Sequence, residues 1–366
     1  MSNENKLINS ISLYRLLAMI LVVFGHLVSV ATYSYEIPDV LKSPLESPIL
    51  PENTLASIDG SFATYVHTNA GSLGVVMFFI ASGYLVSKML DRYNWREFLV
   101  NRCFSIFPTL WISLLVVALF VHVFQGIVYS PADIWGSMFP IWPRISGKFI
   151  TLVLWTLRIE LKFYLFVVIF RKNRKNIIIY GYLLVFLAAI IYHEFRSPWV
   201  YIQMYDISFM CFPILGVVIE YVQRTKNLNG LKYISACVLV NLLLFKVSIW
   251  IFQEDRGFYP ACATQIIPVV LFLLLMKLEE VAPKLYQFVP QCVYAFSKLS
   301  MPVYCTHVGC GLTVMYQLSK AGYGFGVTLI GGFLTALIVG GVVYLLVTKP
   351  STILMKKAIA AMRKQS

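Results

Sequence analysis

The sequence predicts an all-α protein, a polytopic integral membrane helix bundle of about ten transmembrane helices with both termini cytoplasmic. Three observations carry this prediction: the composition, the apolar segments and the distribution of basic residues. Of the 366 residues, 59% are hydrophobic and only 13% are charged, and the mean hydropathy is +0.75. Soluble proteins carry about 25% charged residues. The sequence therefore has too little charge to cover a water-soluble surface, which excludes an ordinary soluble protein.

Ten apolar segments approach the length of about 20 residues that a helix needs to cross a bilayer. Arg15 interrupts the first segment, and no small-residue cleavage site follows it, so this segment is not a cleavable signal. We expect one transmembrane domain over residues 1–348 and a short basic cytoplasmic tail over 349–366. The ten predicted spans lie at approximately 8–31, 71–88, 104–124, 150–170, 177–192, 200–222, 233–253, 261–278, 299–317 and 327–347.

The basic residues predict the orientation. The formal net charge is +13, from 30 Lys and Arg against 17 Asp and Glu. With the N-terminus inside, twenty of these bases fall on inside segments and six on outside segments, as the positive-inside rule requires. A nucleic-acid-binding protein would instead concentrate them on one soluble face. We therefore expect the lipid bilayer as a partner, and no nucleic acid.

The cysteines predict no chemistry of their own. Their number, seven, is odd, and no two form a C-x-x-C pair. Nearly all lie in or beside apolar segments, so neither a disulfide framework nor a metal site is expected. They are interpreted as small apolar packing residues.

Charges inside the apolar segments are the strongest indication of function. A charged side chain at the bilayer centre costs at least ~2.5–3.5 kcal/mol, so it usually faces a cavity or a partner. Arg15 and His26 are eleven residues apart, which places them on one helix face, about 16 Å apart along the axis. Such a pair could hold an anionic donor at Arg15 and present its reactive end to His26. The alternative is a snorkelling arginine and a hydrogen-bonded interfacial histidine.

A second charged group lies in the segment 150–170. Arg158 and Lys162 share a helix face, whereas Glu160 points about 200° away from them. Glu160 therefore needs a partner on another element. Arg15 or His26 is the predicted partner, since a carboxylate that orients an imidazole makes it a better base. The alternative is a structural intramembrane ion pair.

Three further features stay open from the residues alone. Asp206 lies near the outer end of its segment, where it could only mark the membrane interface. His307 lies in the middle of a segment, and its role is open between substrate contact and packing. The proline-bearing outer segment 32–70 could be a lid, although an extracytoplasmic loop without a role is the favoured interpretation.

Four motifs resemble those of the acyltransferase-3 family of integral membrane acyltransferases. They occur in the order and with the spacing of that family and extend over almost the whole membrane region. The motifs are Arg15-x10-His26, Phe78-Phe79-x-x-Ser82-Gly83-Tyr84-Leu85, Trp155-Thr156-Leu157-x-x-Glu160-x-x-Phe163-Tyr164 and Ser300-x3-Tyr304-x-x-His307.

The resemblance implies a bacterial inner-membrane O-acyltransferase. Its donor would be cytoplasmic acyl-CoA, most often acetyl-CoA, and its acceptor a hydroxyl of a cell-surface or lipid-linked glycan such as O-antigen, capsule or exopolysaccharide. His26 is the predicted general base. Glu160 would orient His26 or balance Arg15, and Arg15 would position the donor or stabilise developing negative charge.

Basic residues near the inner face match a polyanionic donor. One departure from the family pattern is Arg102-Cys-Phe-Ser105, which keeps only the first arginine of a frequent Arg-x-x-Arg pair; Arg92 and Arg96 could replace the second. The complete predicted set for substrate or donor binding is Arg92, Arg96, Arg102, Arg158, Lys162, Ser82, Tyr164 and His307.

Two other functions compete with acyl transfer. A polysaccharide or lipid-linked sugar exporter would line a pathway with the intramembrane charges, but the sequence lacks the paired interrupted helices of inverted-repeat transporters. A structural subunit of a glycan assembly complex predicts that Arg15 and His26 tolerate substitution.

Overall fold

A computed structural model describes residues 3–30, 57, 69–140, 150–194, 198–226, 229–252, 262–284 and 291–365. Within these ranges the chain forms helices and no strand, which confirms the all-α prediction. Most of the outer segment 32–70 lies outside the described residues.

The helices are numbered here in chain order. Three of them continue into a π-helical turn, at His26–Val30, His307–Gly311 and Tyr344–Thr348. The helices are α1 Asn3–Gly25, α2 Ala70–Met89, α3 Trp95–Gln125, α4 Pro131–Met138, α5 Leu154–Phe170, α6 Arg174–Glu194, α7 Pro198–Phe209, α8 Cys211–Thr225, α9 Gly230–Phe252, α10 Cys262–Val281, α11 Gln291–Lys298, α12 Ser300–Thr306, α13 Leu312–Lys320, α14 Phe325–Val343 and α15 Lys349–Gln365.

Six stretches of the described residues are helical, long and apolar enough to cross a membrane, as a multi-pass membrane protein requires. The total of ten spans and the sides of the two termini stay predictions. The six stretches are Ser10–Val28, Ala70–Met89, Trp95–Gln125, Arg174–Ile191, Gln203–Thr225 and Phe325–Gln365.

Local sequence signals set several helix ends. The Asn69 side chain accepts a hydrogen bond from the Ser72 amide at 2.8 Å and begins α2. Asn94 and Glu97 form a reciprocal capping box at the start of α3. Gly126 ends α3 in the left-handed conformation, with φ of 71°, which glycine adopts without a steric penalty.

Helix α2 lies at the centre of the bundle, against α1, α8 and α10. Its contact with α8 is backbone to backbone. A Cβ atom on Gly83 would lie 1.8 Å from the Pro213 carbonyl oxygen, and one on Gly216 would lie 2.1 Å from the Ile80 carbonyl oxygen. No side chain fits at either position. The close contact fixes the position of α2 and therefore of Ser82, the residue that precedes Gly83.

An ion-pair network connects three helices near the α2–α3 connection. Arg174 bridges Asp91, at 2.7 Å, and Glu220, at 3.0 Å, while Arg224 also pairs with Asp91. Burial would raise the pKa of Asp91, but the hydrogen bonds from Arg224 and Arg174 outweigh burial and lower it. These contacts connect α2, α6 and α8 through charge.

The predicted basic tail is helical. Helix α15 packs along α3, where the Ser351 hydroxyl donates to the Phe104 carbonyl oxygen at 2.5 Å. Arg363 pairs with Glu97 at 2.7 Å. The tail is therefore held against the bundle over its length.

Candidate active site

Arg15 and His26 both face the segment that begins at Ser300. Arg15 Nη2 donates to Ser300 Oγ at 2.7 Å, and His26 Nδ1 lies 2.8 Å from His307 Nε2. The two contacts place both side chains on the face of α1 that meets α12, as their spacing predicts. They also show that α1 and α12 run parallel. Eleven residues of α1 rise about 16 Å and seven residues of α12 about 10 Å, and the long arginine side chain spans the difference.

The two histidine rings differ in accessibility. His307 is completely buried, and its Nδ1 lies 2.9 Å from the Tyr304 carbonyl oxygen and 3.2 Å from that of Val303. Both ring nitrogens of His307 therefore have partners. His26 is only half-buried, and the two ring planes are inclined by 23°. His26 is thus the ring of the pair that is accessible to a substrate. His307 contacts His26 from the buried side.

A second polar cluster surrounds Glu160. The carboxylate accepts hydrogen bonds from Ser82 Oγ, at 2.7 Å, and from the Tyr164 hydroxyl. Arg102 Nη1 donates to the Tyr164 hydroxyl at 3.4 Å, and its guanidinium lies 5.2 Å from the Tyr164 ring centroid. Arg102 Nε is buried and has no hydrogen-bond partner within the described part of the chain. One donor of this arginine is therefore unused.

Arg15 lies within electrostatic range of Glu160, Tyr164 and Arg102. Among the ion pairs between described residues, none includes Arg15 or Glu160. Of the two roles predicted for Glu160, the geometry supports the balancing of Arg15. The hydrogen bonds of Glu160 to described residues go to Ser82 and Tyr164 and not to His26, whose Nδ1 is taken by His307, so the predicted orientation of His26 by Glu160 gains no support.

Arg158 and Lys162 lie on the opposite face of α5, as the 200° offset predicts. Asp206 of α7 accepts from Arg158 through Nε and, at 2.8 Å, Nη2. It also accepts from Lys162 Nζ at 2.6 Å, and Lys162 donates to Gln203 as well. Arg158 and Asp206 are 1% and 0% exposed. This arrangement is the structural ion pair that the sequence left open, and it gives donor binding by Arg158 and Lys162 no support.

The remaining predicted arginines lie outside the Glu160 cluster. Arg92 and Arg96 are exposed near the start of α3. Arg96 lies over the Trp95 ring, at 5.2 Å from its centroid, and the Arg92 carbonyl oxygen accepts from Arg363. Of the three arginines predicted near the inner face, Arg102 alone contacts the Glu160 cluster within the described residues.

Comparison with known proteins identifies the family. A family model described as an acyltransferase domain matches residues 8–348. The chain belongs to the acyltransferase-3 family. This confirms the resemblance that the four motifs indicated.

One relative of this acyltransferase-3 protein is Nodulation protein 10 from Rhizobium leguminosarum bv. viciae. The two are 30% identical over 169 residues, which is 39% of this chain and 43% of the relative. The chain thus covers less than half of that relative's length. No solved structure matches the chain.

The family motifs of this acyltransferase-3 protein contribute residues to both sites described. In the second motif Ser82 contacts Glu160, Gly83 lets α8 approach, and the Tyr84 hydroxyl donates to Gln223 at 2.8 Å. In the third motif the Thr156 hydroxyl lies 2.6 Å from the hydroxyl of Tyr304, a residue of the fourth motif. Sequence reasoning assigned no role to Ser300, although it stands at the start of the fourth motif.

Proposed function

We propose that this protein is a membrane O-acyltransferase that moves an acetyl or other short acyl group from cytoplasmic acyl-CoA to a hydroxyl of a cell-surface or lipid-linked glycan. One observation carries the proposal. A cationic cluster and a hydrogen-bonded histidine pair lie at two levels of one helix face, with Arg15 at one level and His26 at the other. This spacing suits a long donor that is anionic at one end and reactive at the other.

The donor end of the site would be the Arg15 and Arg102 region. Coenzyme A is a polyanion, and arginine binds phosphates through a fork of N–H donors. Arg102 has an unused buried donor, and neither arginine forms an ion pair with a described residue. The exposed Arg92 and Arg96 add positive potential near the start of α3. These cations favour the phosphates of acyl-CoA over a neutral donor.

The acyl end of the donor would meet His26. The pantetheine arm is long and thin, and Arg15 and His26 are about 16 Å apart along the helix. At this separation Arg15 positions the donor and does not stabilise charge at the thioester carbonyl. This supports one of the two roles predicted for Arg15.

The transfer step needs one base and no other reactant. The half-buried His26 accepts the proton of the sugar hydroxyl while the hydroxyl oxygen attacks the thioester carbonyl carbon. A carbon–oxygen bond forms and the carbon–sulfur bond breaks. The coenzyme A thiolate then takes the proton from His26, and the ring returns to its starting state. The products are the acylated glycan and free coenzyme A.

Surface glycans from four strains test this function: a gene deletion, and the deletion complemented with wild type, His26→Ala or His122→Ala. His122 is exposed near the end of α3, away from the described clusters, and serves as the matched control. Mass spectrometry should show that the deletion and the His26→Ala strain lose one acyl mass per modified sugar. Wild type and His122→Ala should restore it. Unchanged acylation in cells that insert His26→Ala normally would contradict the proposal.

A further inference from the structure

We propose that His307 is a positioning residue that fixes the proton of His26 on Nδ1 and thereby leaves Nε2 of His26 as the basic nitrogen. The inference rests on the proposed function, in which His26 is the base, and it names the atom that takes the proton. It follows from a chain of contacts that runs from two backbone carbonyl groups through one ring to the other.

The first step is the protonation state of His307. Its Nδ1 faces two carbonyl oxygens, at 2.9 Å and 3.2 Å. A carbonyl oxygen only accepts hydrogen bonds, so Nδ1 of His307 must carry a hydrogen. A lone pair at this position would face two other lone pairs. Since the side chain is 0% exposed, a second proton would create a buried cation at high cost. His307 is therefore neutral, and its Nε2 has a lone pair.

The second step transfers this constraint to His26. The 2.8 Å contact joins His307 Nε2 to His26 Nδ1, and two lone pairs cannot make a hydrogen bond. Nδ1 of His26 must be the donor. In a neutral imidazole the other nitrogen is then unprotonated, so Nε2 of His26 has the free lone pair. The backbone of α12 thus selects the tautomer of a residue 281 positions away in sequence.

The third step concerns the reaction. When Nε2 of His26 takes a proton, the Nδ1–H bond to His307 becomes charge-assisted and stronger. His307 thus supports the imidazolium without contact with the substrate. A carboxylate often fills this position in catalytic histidine arrangements. Here an uncharged ring does so, which keeps a second charge out of the apolar interior.

Two variants of His307 separate this role from simple packing. The amide oxygen of a glutamine reaches the place of the ring Nε2, whereas an asparagine reaches only the place of Nδ1. His307→Gln keeps an acceptor for His26 and loses the carbonyl contacts. His307→Asn keeps the carbonyl contacts and leaves His26 Nδ1 without a partner. A purely structural role favours asparagine, and a positioning role favours glutamine.

The kinetic experiment uses the full chain in lipid nanodiscs, radiolabelled acetyl-CoA as the varied donor and a glycolipid extract from the deletion strain at fixed concentration. We expect kcat to fall about 100-fold or more in His307→Asn and less than about 10-fold in His307→Gln, with the KM for acetyl-CoA unchanged in both. His122→Asn and His122→Gln are matched controls and should equal wild type. Equal losses in the two His307 variants, or a larger loss in glutamine, would overturn the inference.

A second measurement needs no His307 variant. Histidine ring 15N NMR of the wild-type protein distinguishes the two neutral tautomers, and His26→Ala assigns the His26 signal among the five histidines. We expect a protonated Nδ1 on His26. A protonated Nε2 with an unprotonated Nδ1 would overturn the inference even if acyl transfer is confirmed. Conversely, a wild-type protein that transfers no acyl group would defeat the proposed function and leave the NMR result intact.

Discussion

Each of the two faces of α5 has a carboxylate near basic residues, but among the described residues only one of these carboxylates forms direct ion pairs with them. On one face Glu160 lies within electrostatic range of Arg15, and Arg102 donates to Tyr164, a hydrogen-bond partner of Glu160. On the other, Asp206 of α7 lies between the two cations Arg158 and Lys162. The Asp206 contacts are direct ion pairs, and Arg158 and Asp206 have almost no exposure. The Glu160 contacts are hydrogen bonds to hydroxyl groups, and this carboxylate is only half-buried.

The difference in pairing distinguishes charges that stabilise the fold from charges that are available to bind a ligand. A buried ion pair whose members contact each other directly has no capacity left for a ligand. Cations that are held near a carboxylate without direct pairing retain attraction for an added anion. Under the proposed function, intramembrane charge alone does not mark the active site, whereas charge without a direct ion-pair partner does.

The largest expected effect tests the Asp206 face. Asp206→Asn removes the counter-charge of the buried Arg158 and of the partly buried Lys162, and breaking a buried ion pair costs about 3–5 kcal/mol. We expect a strong loss of folded protein and a midpoint of thermal unfolding lowered by about 5 to 10 °C, measured in detergent by size-exclusion chromatography after heating.

A double variant provides the control for Asp206→Asn. Arg158→Met combined with Asp206→Leu removes the two fully buried charges and fills the space with apolar groups, which is often close to neutral for stability. The partly exposed Lys162 keeps its hydrogen bond to Gln203. The double variant should be more stable than Asp206→Asn. If Asp206→Asn has wild-type stability but no activity, this face belongs to the active site and the comparison fails.

The next effect tests the Glu160 face. Glu160→Gln keeps the shape and the acceptor oxygen but removes the charge that balances Arg15. We expect the acyl transfer rate to fall about 100-fold, equivalent to about 2.7 kcal/mol of barrier, with a thermal midpoint close to wild type. Initial rates with radiolabelled acetyl-CoA and a melting curve on the same preparation check both parts. A large loss of stability would place Glu160 with the structural charges.

A smaller effect concerns the hydroxyl of Tyr164. Tyr164→Phe removes the hydrogen bonds to Glu160, Ser82 and Arg102 but keeps the ring that Arg102 overlies. A hydrogen bond to a charged group contributes about 1.5–3 kcal/mol, and Ser82 remains as a second donor to Glu160. We expect the KM for acetyl-CoA to rise about tenfold or less. An unchanged KM would show that Tyr164 does not help to place the donor.

The smallest effect concerns Lys162, the most exposed member of the Asp206 group. The Lys162 side chain is 16% exposed, and Arg158 still pairs with Asp206 when Lys162 is replaced. Lys162→Met should cost about 1 kcal/mol of stability and leave the KM for acetyl-CoA unchanged. A tenfold rise in this KM would instead restore the donor-binding role that the sequence predicted for Lys162.

Helical periodicity explains how far the sequence could predict the site. The shared face of Arg15 and His26, and the opposite face of Glu160 relative to Arg158, follow from 100° per residue within one helix. The neighbours of each face do not follow from it. The partnership of His26 with His307 joins residues 281 positions apart, and no spacing within one helix predicts which helices pack together.

The charge partners show the same limit. Asp206 lies near the outer end of a predicted span, and its position in the sequence favours a carboxylate at the membrane interface. In the structure a turn at Met210 separates helix α7 from helix α8. Asp206, on α7, is fully buried beside α5. Its role depends on packing between helices, which composition and hydropathy do not contain.

Each histidine of the pair begins a π-helical turn, at His26–Val30 and at His307–Gly311. Such a turn contains one residue more than the α-helical turn it replaces. Deleting one residue between His307 and Leu312 would therefore restore a regular helix and rotate everything that follows by about 100° relative to His307. Gly311, where a Cβ atom would lie 3.0 Å from the Leu27 side chain and 3.2 Å from the Gly332 carbonyl oxygen, would lose its place. The number of residues in the turn His307–Gly311 is thus under stronger constraint than their identity. Among sequences that keep both histidines, we expect insertions and deletions in this turn to be rarer than substitutions.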